Sequence, residues 1–243
     1  MSWRGFALFL SFEQMEPIIR VIIPAYNEEN SVGKVVEDIP NTLAEEIIVV
    51  NNGSTDETAE MAKNAGAVVL AESRKGYGWA CLKGLEYLST SGAKTDIVVF
   101  LDADYSDYPE EMYNLVRPIL DNKADFVVGS RTLGKKERGA ITPQQVFGNW
   151  LATGLLKFFY GTKFTDLGPF RAIKYDQLLT LNMQDKTYGW TVEMQLKAAK
   201  KKLRSMEVPV SYKKRIGYSK VSGTVKGTVM AGSKILWTIF KYL

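Results

Sequence analysis

Residues 98–104 read Val-Val-Phe-Leu-Asp-Ala-Asp. Four apolar residues running straight into two carboxylates describe a strand buried on both faces. In an open α/β sheet, ligands collect outside the carboxyl ends of the strands. Asp102 and Asp104, at i and i+2, therefore stand where two oxygen ligands can hold a hard divalent cation such as Mg2+ or Mn2+, which also takes oxygens from a substrate phosphate. Aspartates after a strand equally serve as turn formers and helix caps. Ser106, Asp107 and Pro109 ahead of Glu110 and Glu111 have the look of a helix start. This stretch by itself leaves the metal reading and the turn reading both open.

Composition narrows the field. A chain of 243 residues holds one large α/β domain or two small ones. Its 46% apolar and 24% charged content is that of a soluble globular protein. A net charge of +4 suits anionic substrates without announcing a nucleic-acid binder. With one cysteine, Cys81, no intrachain disulfide is possible, and a reducing, cytoplasmic compartment is expected. There is no histidine, which removes the commonest general base and the commonest zinc ligand. No stretch reaches the ~18–20 apolar residues of a membrane span. Gly5–Phe12 is apolar but too brief for one, and no signal-peptide cleavage site follows it. Val229–Leu243 carries Met230, Ile235, Leu236, Trp237, Ile239, Phe240 and Leu243 beside Lys234 and Lys241. That pattern fits either a packed terminal helix or an interfacial one lying on an anionic leaflet.

Outward from the opening stretch, strands and helices alternate. Ile18–Ile23 is a β-branched strand stopped by Pro24, and Asn30 or Ser31 can cap a helix through Val32, Val35, Val36 and Ile39. Glu46–Val50 is a second strand, Asn51–Asp56 a dense turn, Glu57–Asn64 a helix ended by Gly66, and Ala67–Leu70 a third strand. Gly76 and Gly78 precede a helix over Ala80–Leu88; Ile97–Leu101, a helix over Met112–Leu120 and a strand over Phe126–Val128 follow. Short connections between these elements indicate βαβ units and a parallel sheet, a Rossmann-like α/β fold. Leu133–Gln145 lacks periodicity and reads as a long mobile loop, the usual form of a functional lid. Phe147–Tyr160 is an aromatic-rich helix, Trp190–Lys202 another, Val208–Tyr212 a strand, and Lys213–Lys220 a basic loop.

In this order the motifs resemble family 2 glycosyltransferases of the GT-A fold, most closely the branch of dolichol-phosphate mannose synthases and other polyprenyl-phosphate glycosyltransferases. The resemblance runs from about Ile18 to Gly223. It rests on Val21–Glu29 (VIIPAYNEE), Ile47–Thr58 (IIVVNNGSTDET), the Gly76/Gly78 turn, Leu101–Asp104, Gly129–Arg131, Asp166–Arg171, Glu207–Val210 and Arg215–Lys220. Each motif is weak alone; the ordered set is specific. It implies an N-terminal extension over 1–16, a GT-A domain over 17–223 with an acceptor-side subregion at its C-terminal end, and an amphipathic helix over 224–243.

The resemblance also implies roles. Pro24, Ala25, Tyr26 and Glu28 would meet the base of a nucleotide sugar, with Asn52 and Asp56 opposite. Many relatives carry an acid pair where Asn51 and Asn52 stand, and amides change the donor and acceptor sense, so a UDP- or GDP-sugar are both compatible. Lys75, beside Arg74, and the N–H groups around Gly76 would help with the diphosphate. Asp102, Ala103 and Asp104 would carry the metal and the leaving group. Ser106 replaces a glutamine common in relatives. Arg131, Arg215, Ser219 and Lys220 match an acceptor phosphate site, where arginine forks fit phosphate oxygens, while Lys213, Lys214 and Lys226 read as solvated charge.

A phosphate acceptor is already anionic and needs no general base, whereas a hydroxyl acceptor does. Asp166 and Glu193 are the carboxylates placed for that second chemistry. Asp166 precedes Gly168-Pro-Phe-Arg171, where relatives more often show Ser-Gly-Phe-Arg. Carboxylates buried against Arg171 would be plain ion pairs. The expectation is a metal-dependent inverting hexosyltransferase acting on a polyprenyl phosphate, peripheral on the cytoplasmic face of a membrane. The alternative keeps the donor and uses a hydroxyl acceptor with Asp166 or Glu193 as base. A nucleotidyltransferase is disfavoured because Pro24–Glu29 has no glycine, and a dinucleotide-binding oxidoreductase because no Gly-x-Gly-x-x-Gly follows the first strand.

Overall fold

The computed structural model describes residues 17–219 and 224–243. The N-terminal extension, with Gly5–Phe12, and Lys220 lie outside the described residues.

The first half of the chain follows its hydrophobic periodicity. Strands β1 (Ile19–Ala25), β2 (Glu46–Asn51), β3 (Val68–Ala71) and β4 (Ile97–Phe100) alternate with helices α1 (Val32–Asp38), α2 (Thr58–Asn64) and α3 (Tyr77–Thr90). A short 3-10 turn at Pro109–Glu111 then opens α4 (Met112–Leu120), and β5 spans Phe126–Ser130. All of β1 is buried, because alternate residues enter two different cores. Val21 and Ile23 pack on the α1/α4 side and Ile22 on the α3 side. Continuous Val/Ile runs are what a doubly covered parallel strand requires.

The sheet runs β3-β2-β1-β4-β6-β5-β7. Every neighbouring pair is parallel except those of β6 (Arg171–Lys174), which runs antiparallel to both β4 and β5. The fold is thus a mixed, mostly parallel α/β sheet between helices. β6 and the following α6 (Tyr175–Leu181) are additions to the sequence reading. A four-residue strand flanked by Arg171 and Lys174 carries no hydrophobic signal of its own. Arg171 nonetheless sits fully buried, donating to the carbonyls of Leu167, Gly168 and Thr191. Its partners are backbone oxygens rather than the carboxylates expected for it, and burial pulls its guanidinium down to about 10.

Two further boundaries move. β7 is Ser205–Pro209, upstream of the apolar run 208–212. Proline ends this edge strand, and Val210 and Tyr212 are buried after it as the chain crosses the sheet end. α5 begins at Pro143, with Thr142 and Gln145 forming a reciprocal capping box. The preceding loop is stitched down rather than hanging free as a lid. Tyr212 N donates to Lys135 O at 2.8 Å, Glu137 N to Tyr212 O at 2.9 Å, and Lys214 N to Glu137 Oε2 at 3.0 Å. A side chain at Gly134 would collide with the Val210 carbonyl. A third core joins α5 (Pro143–Tyr160), α7 (Trp190–Lys200) and α8 (Val225–Lys241) through Ala152, Leu156, Val192, Leu196 and Ile239.

Candidate active site

β1 hands the chain to β2 on one side and is flanked by β4 on the other, so the strand order reverses between β1 and β4. Their carboxyl ends are in register, Ile22 opposite Phe100, and the crevice outside such a switch point is where open α/β sheets bind ligands. A cleft of about 340 Å3 lies there. Of the residues expected at the site, Pro24, Ala25, Tyr26, Glu28, Asn52, Lys75, Gly76, Asp102, Ala103, Asp104, Arg215 and Ser219 line it. Tyr77, Ala80 and Tyr188 also line it and were not anticipated.

Asp102 is half-buried on the cleft floor. Burial, then the neighbouring Asp104 charge, pushes its pKa up to about 7 against the pull of the Arg215 and Arg131 charges. Its Oδ1 and the Tyr77 hydroxyl are both buried without a hydrogen-bond partner. Asp104 is nearly buried. Its Oδ1 accepts from Ser106 N at 3.0 Å and Ser106 Oγ at 2.5 Å, and its Oδ2 pairs with Arg215 Nη1 at 3.1 Å. Arg215 reaches on to Glu28 Oε1 at 2.6 Å. Backbone bonds Ile216 N–Asp104 O and Lys213 N–Ser106 O, at 3.0 and 2.8 Å, strap the arginine's segment over the acidic loop. Lys213 is not plain solvated charge: its ammonium lies over the rings of Tyr105 and Tyr108, 3.3 and 4.4 Å from their centroids.

Two carboxylates fit a hard divalent cation, whose remaining positions a diphosphate and water can fill. The unpartnered Oδ1 of Asp102 is the free oxygen ligand such an ion needs. Among the described residues no cluster of three or more candidate ligands could hold a metal by itself.

The β2 side of the cleft is built by polar side chains holding backbone. Asn52 Nδ2 donates to Glu72 O at 3.1 Å and Arg74 O at 2.8 Å, while its Oδ1 accepts from Gly76 N at 2.8 Å. Only an amide can donate and accept in this way. Asp56 does not line the cleft. It accepts from Thr58 N at 3.1 Å, Thr58 Oγ1 at 2.5 Å and Glu29 N at 3.4 Å, tying two loops together; these bonds outweigh burial and lower its pKa. Lys75 faces Tyr26, with Nζ 5.6 Å from the ring centroid.

The glycine pair also serves the fold. Side chains at Gly76 or Gly78 would collide with the backbone of Asp185 and Lys186, and Trp79 N donates to Lys186 O at 3.1 Å. Close approach accounts for both glycines, and the segment that approaches is 185–187. The N–H groups of Gly76 and Trp79 are already engaged by protein oxygens.

Arg131, Asp166 and Glu193 do not line the cleft. Arg131 and Asp166 lock each other: Nε–Oδ2 is 2.8 Å, Nη2–Oδ1 2.7 Å, and Arg131 N donates to Oδ2 at 2.8 Å. Burial opposes the Arg131 charge, but Asp166 raises the guanidinium pKa beyond its usual range. Glu207 accepts from the amides of Thr165 and Asp166 at 2.8 and 3.0 Å and so orients that pair. Its own pKa is raised, chiefly by burial. Glu193 is fully buried and accepts from Asp185 N at 2.7 Å, Lys197 Nζ at 2.7 Å and the Tyr242 hydroxyl at 2.6 Å.

Asp107 is the largest omission of the sequence reading. It is 2% exposed, and neither carboxylate oxygen has a hydrogen-bond partner. Burial, then the charge of Asp102, holds its pKa well above the carboxylate range. Turn-like neighbours conceal it in the sequence, whereas in the fold its residue bridges to Tyr212, a residue distant in the chain.

A switch-point cleft with an acidic pair at the end of β4, on a mixed sheet with one antiparallel insertion, is the arrangement expected of the GT-A glycosyltransferase fold. The profile of Glycosyl transferase family 2 matches residues 20–179, and the chain belongs to that family. It is 34% identical over 215 residues to an uncharacterised glycosyltransferase of Mycobacterium bovis, covering 88% of this chain and 94% of that one. It is 32% identical to the UDP-N-acetylglucosamine–dolichyl-phosphate N-acetylglucosaminyltransferase of Methanococcus voltae, over 92% of this chain and 95% of the relative. Among solved structures, glucosyl-3-phosphoglycerate synthase of Mycobacterium tuberculosis with Mn2+, UDP and phosphoglyceric acid superposes with a TM-score of 0.70 at 23% identity, covering 93% of this chain and 78% of the other. That likeness concerns the fold.

Proposed function

We propose that this glycosyltransferase moves a hexose from a UDP-sugar to a polyprenyl phosphate, with inversion in one displacement. Asp102 and Asp104 would hold Mg2+ or Mn2+, which when bound stabilises the charge developing on the departing diphosphate. Tyr26, Pro24 and Lys75 flank the nucleotide end of the cleft, and Asn52 keeps the 72–76 segment in shape. Arg215, with Ser219, would receive the acceptor phosphate, and Lys220 follows directly in sequence. Arg131 would orient this side through Asp166.

One observation carries the acceptor assignment: the cleft offers a guanidinium held on two carboxylates, while Asp166 and Glu193, the two carboxylates considered as bases, do not line it. Both oxygens of Asp166 are bound by Arg131. Glu193 is bound by two amides, a lysine and a tyrosine. An acceptor that arrives as an anion makes a base unnecessary and can compete for Arg215. The dolichyl-phosphate enzyme of Methanococcus voltae supports the same reading.

The test is release of nucleoside diphosphate with Mn2+ from UDP- and GDP-sugars, with and without a short-chain polyprenyl phosphate. Release that depends on the lipid phosphate and on UDP is expected. Glu193→Gln and Asp166→Asn should leave the form of the pH–rate profile unchanged. An acidic limb that disappears in either variant would instead establish the hydroxyl-acceptor chemistry.

A further inference from the structure

Tyr77 opens α3 and lines the cleft with Asp102. Its backbone is fixed by its neighbours, because Gly76 N is held by Asn52 Oδ1 at 2.8 Å and side chains at Gly76 or Gly78 would strike the backbone of Lys186 and Asp185. The ring packs on the core that contains Ile22, Cys81, Phe100 and Trp190. Its hydroxyl is buried without a hydrogen-bond partner, and so is Asp102 Oδ1. The two side chains are close enough to interact: after burial, the Asp102 charge is the strongest influence raising the Tyr77 pKa well above the ordinary tyrosine value. The phenol therefore keeps its proton.

Leaving a buried hydroxyl unpaired costs stability that phenylalanine, filling the same space, does not. A native structure keeps such a group where something other than packing uses it. Asp104, by contrast, is engaged, its Oδ1 by Ser106 and its Oδ2 by Arg215. The unpaired atoms of the cleft floor are thus a carboxylate oxygen, which accepts, and a phenol, which both donates and accepts. That pair fits a hydrated cation. Among the described residues no cluster of three candidate ligands exists, so the two carboxylates leave most of an ion's positions to diphosphate and water. A water bound to a cation donates outward and needs an acceptor there, and groups in that outer position govern ligand orientation and ion affinity. Mg2+ gives up its water reluctantly and keeps several such molecules.

We propose that Tyr77 is a positioning residue of the metal site: its hydroxyl accepts a hydrogen bond from a water retained by the cation on Asp102, and so favours Mg2+ over Mn2+. The inference rests on the metal-dependent reading of Asp102 and Asp104. It adds to that reading a determinant of which ion is held, placed on α3 rather than on the acidic loop after β4.

The experiment is calorimetric titration of the full chain with Mg2+ and with Mn2+ in the presence of UDP, and with UDP alone, for the wild type and Tyr77→Phe, together with thermal melting of both. The variant should lose about tenfold in Mg2+ affinity and less than about threefold in Mn2+ affinity. Its affinity for UDP alone should be unchanged. It should melt at the wild-type temperature or above, because the hydroxyl it lacks has no partner in the protein. In an Asp102→Asn background the same substitution should make no further difference to Mg2+ binding, since the water it addresses is held through that carboxylate. Unchanged Mg2+ affinity overturns the proposal, and so does an equal loss for the two ions. A lower melting temperature overturns it because the hydroxyl is then bonded within the protein. Weaker binding of UDP alone does so because the hydroxyl then belongs to the nucleotide. Failure of the wild type to bind either cation sinks the metal reading together with this inference; Mg2+ binding that Tyr77→Phe leaves intact sinks this inference alone.

Discussion

The two sides of the cleft use polar side chains in different proportions. On the donor side, Asn52 and Asp56 hold backbone: their bonds close the 72–76 segment, the turn before α2 and the loop after β1. On the proposed acceptor side such backbone bonds are joined by a chain of ion pairs: Arg215 on Glu28 and Asp104, Arg131 on Asp166, Lys197 on Glu193, Lys234 on Asp185. Backbone contacts make a pocket whose shape exists before the ligand arrives. Ion pairs make a site that an incoming phosphate or metal can enter by exchanging one partner for another. On the proposed function, the half that would read a nucleotide is preformed, and the half that would receive an anion is poised.

This contrast can be broken experimentally, most severely at the point where the halves meet. Asp104→Asn should lower turnover at least about a hundredfold in a Mn2+-dependent assay of diphosphate release, the scale of removing one electrostatic stabiliser of a leaving group. Asp102→Asn should match it, and full activity in either variant would dissolve the site. Arg215→Ala is expected to cost about ten- to a hundredfold in kcat/KM for the lipid phosphate, with the KM for nucleotide sugar little changed. An equal loss on both substrates would show that the acceptor half is not separable from the donor half.

The donor side predicts a structural effect instead. Asn52→Asp turns two donated bonds into oxygen facing oxygen. A loss of about 2 kcal/mol is expected, lowering Tm by roughly 4–8 °C together with donor affinity. The smallest effect belongs to a charge network remote from the cleft. Asp125 accepts from Arg204 at 2.6 and 3.0 Å and from Lys174 at 3.0 Å, and these bonds depress its pKa despite partial burial. A depressed carboxylate contributes stability above its unfolded pKa of about 3.9 and loses it as pH falls toward the folded value. Asp125→Asn should therefore be less stable at pH 7 by about 1 kcal/mol or less, and denaturant titrations of the two proteins should converge at acid pH.

Much of this was legible in the chain. Ile-Ile-Val-Val and Val-Ile-Ile-Pro announce strands covered on both faces, so the parallel half could be laid out from β1 to β4. The Thr-Pro-Gln-Gln that starts α5 was equally readable as a capping box, yet the aromatic residues after it drew the boundary too late. β6 was not readable. A central strand of four residues gains its stability from neighbours on both sides, and Arg171 inside it advertises exposure while being buried among carbonyls. Gly76 and Gly78 announced a close approach without saying what approaches, because a missing side chain records space and not its occupant.

The order of the motifs, and with it the family, the parallel core and the acidic pair at the end of β4, was written in the sequence, since periodicity and local turn chemistry act over a few residues. Which charges are free and which are paired was decided only by the tertiary structure. Arg215 and Glu28 lie 187 positions apart, Arg131 and Asp166 lie 35 apart, and Asp107, buried without a hydrogen-bond partner, is bridged through its backbone to Tyr212, far along the chain. An ion pair or a buried carboxylate is a property of distance in space and of the water excluded around it. Neither quantity exists until the sheet has brought distant segments together.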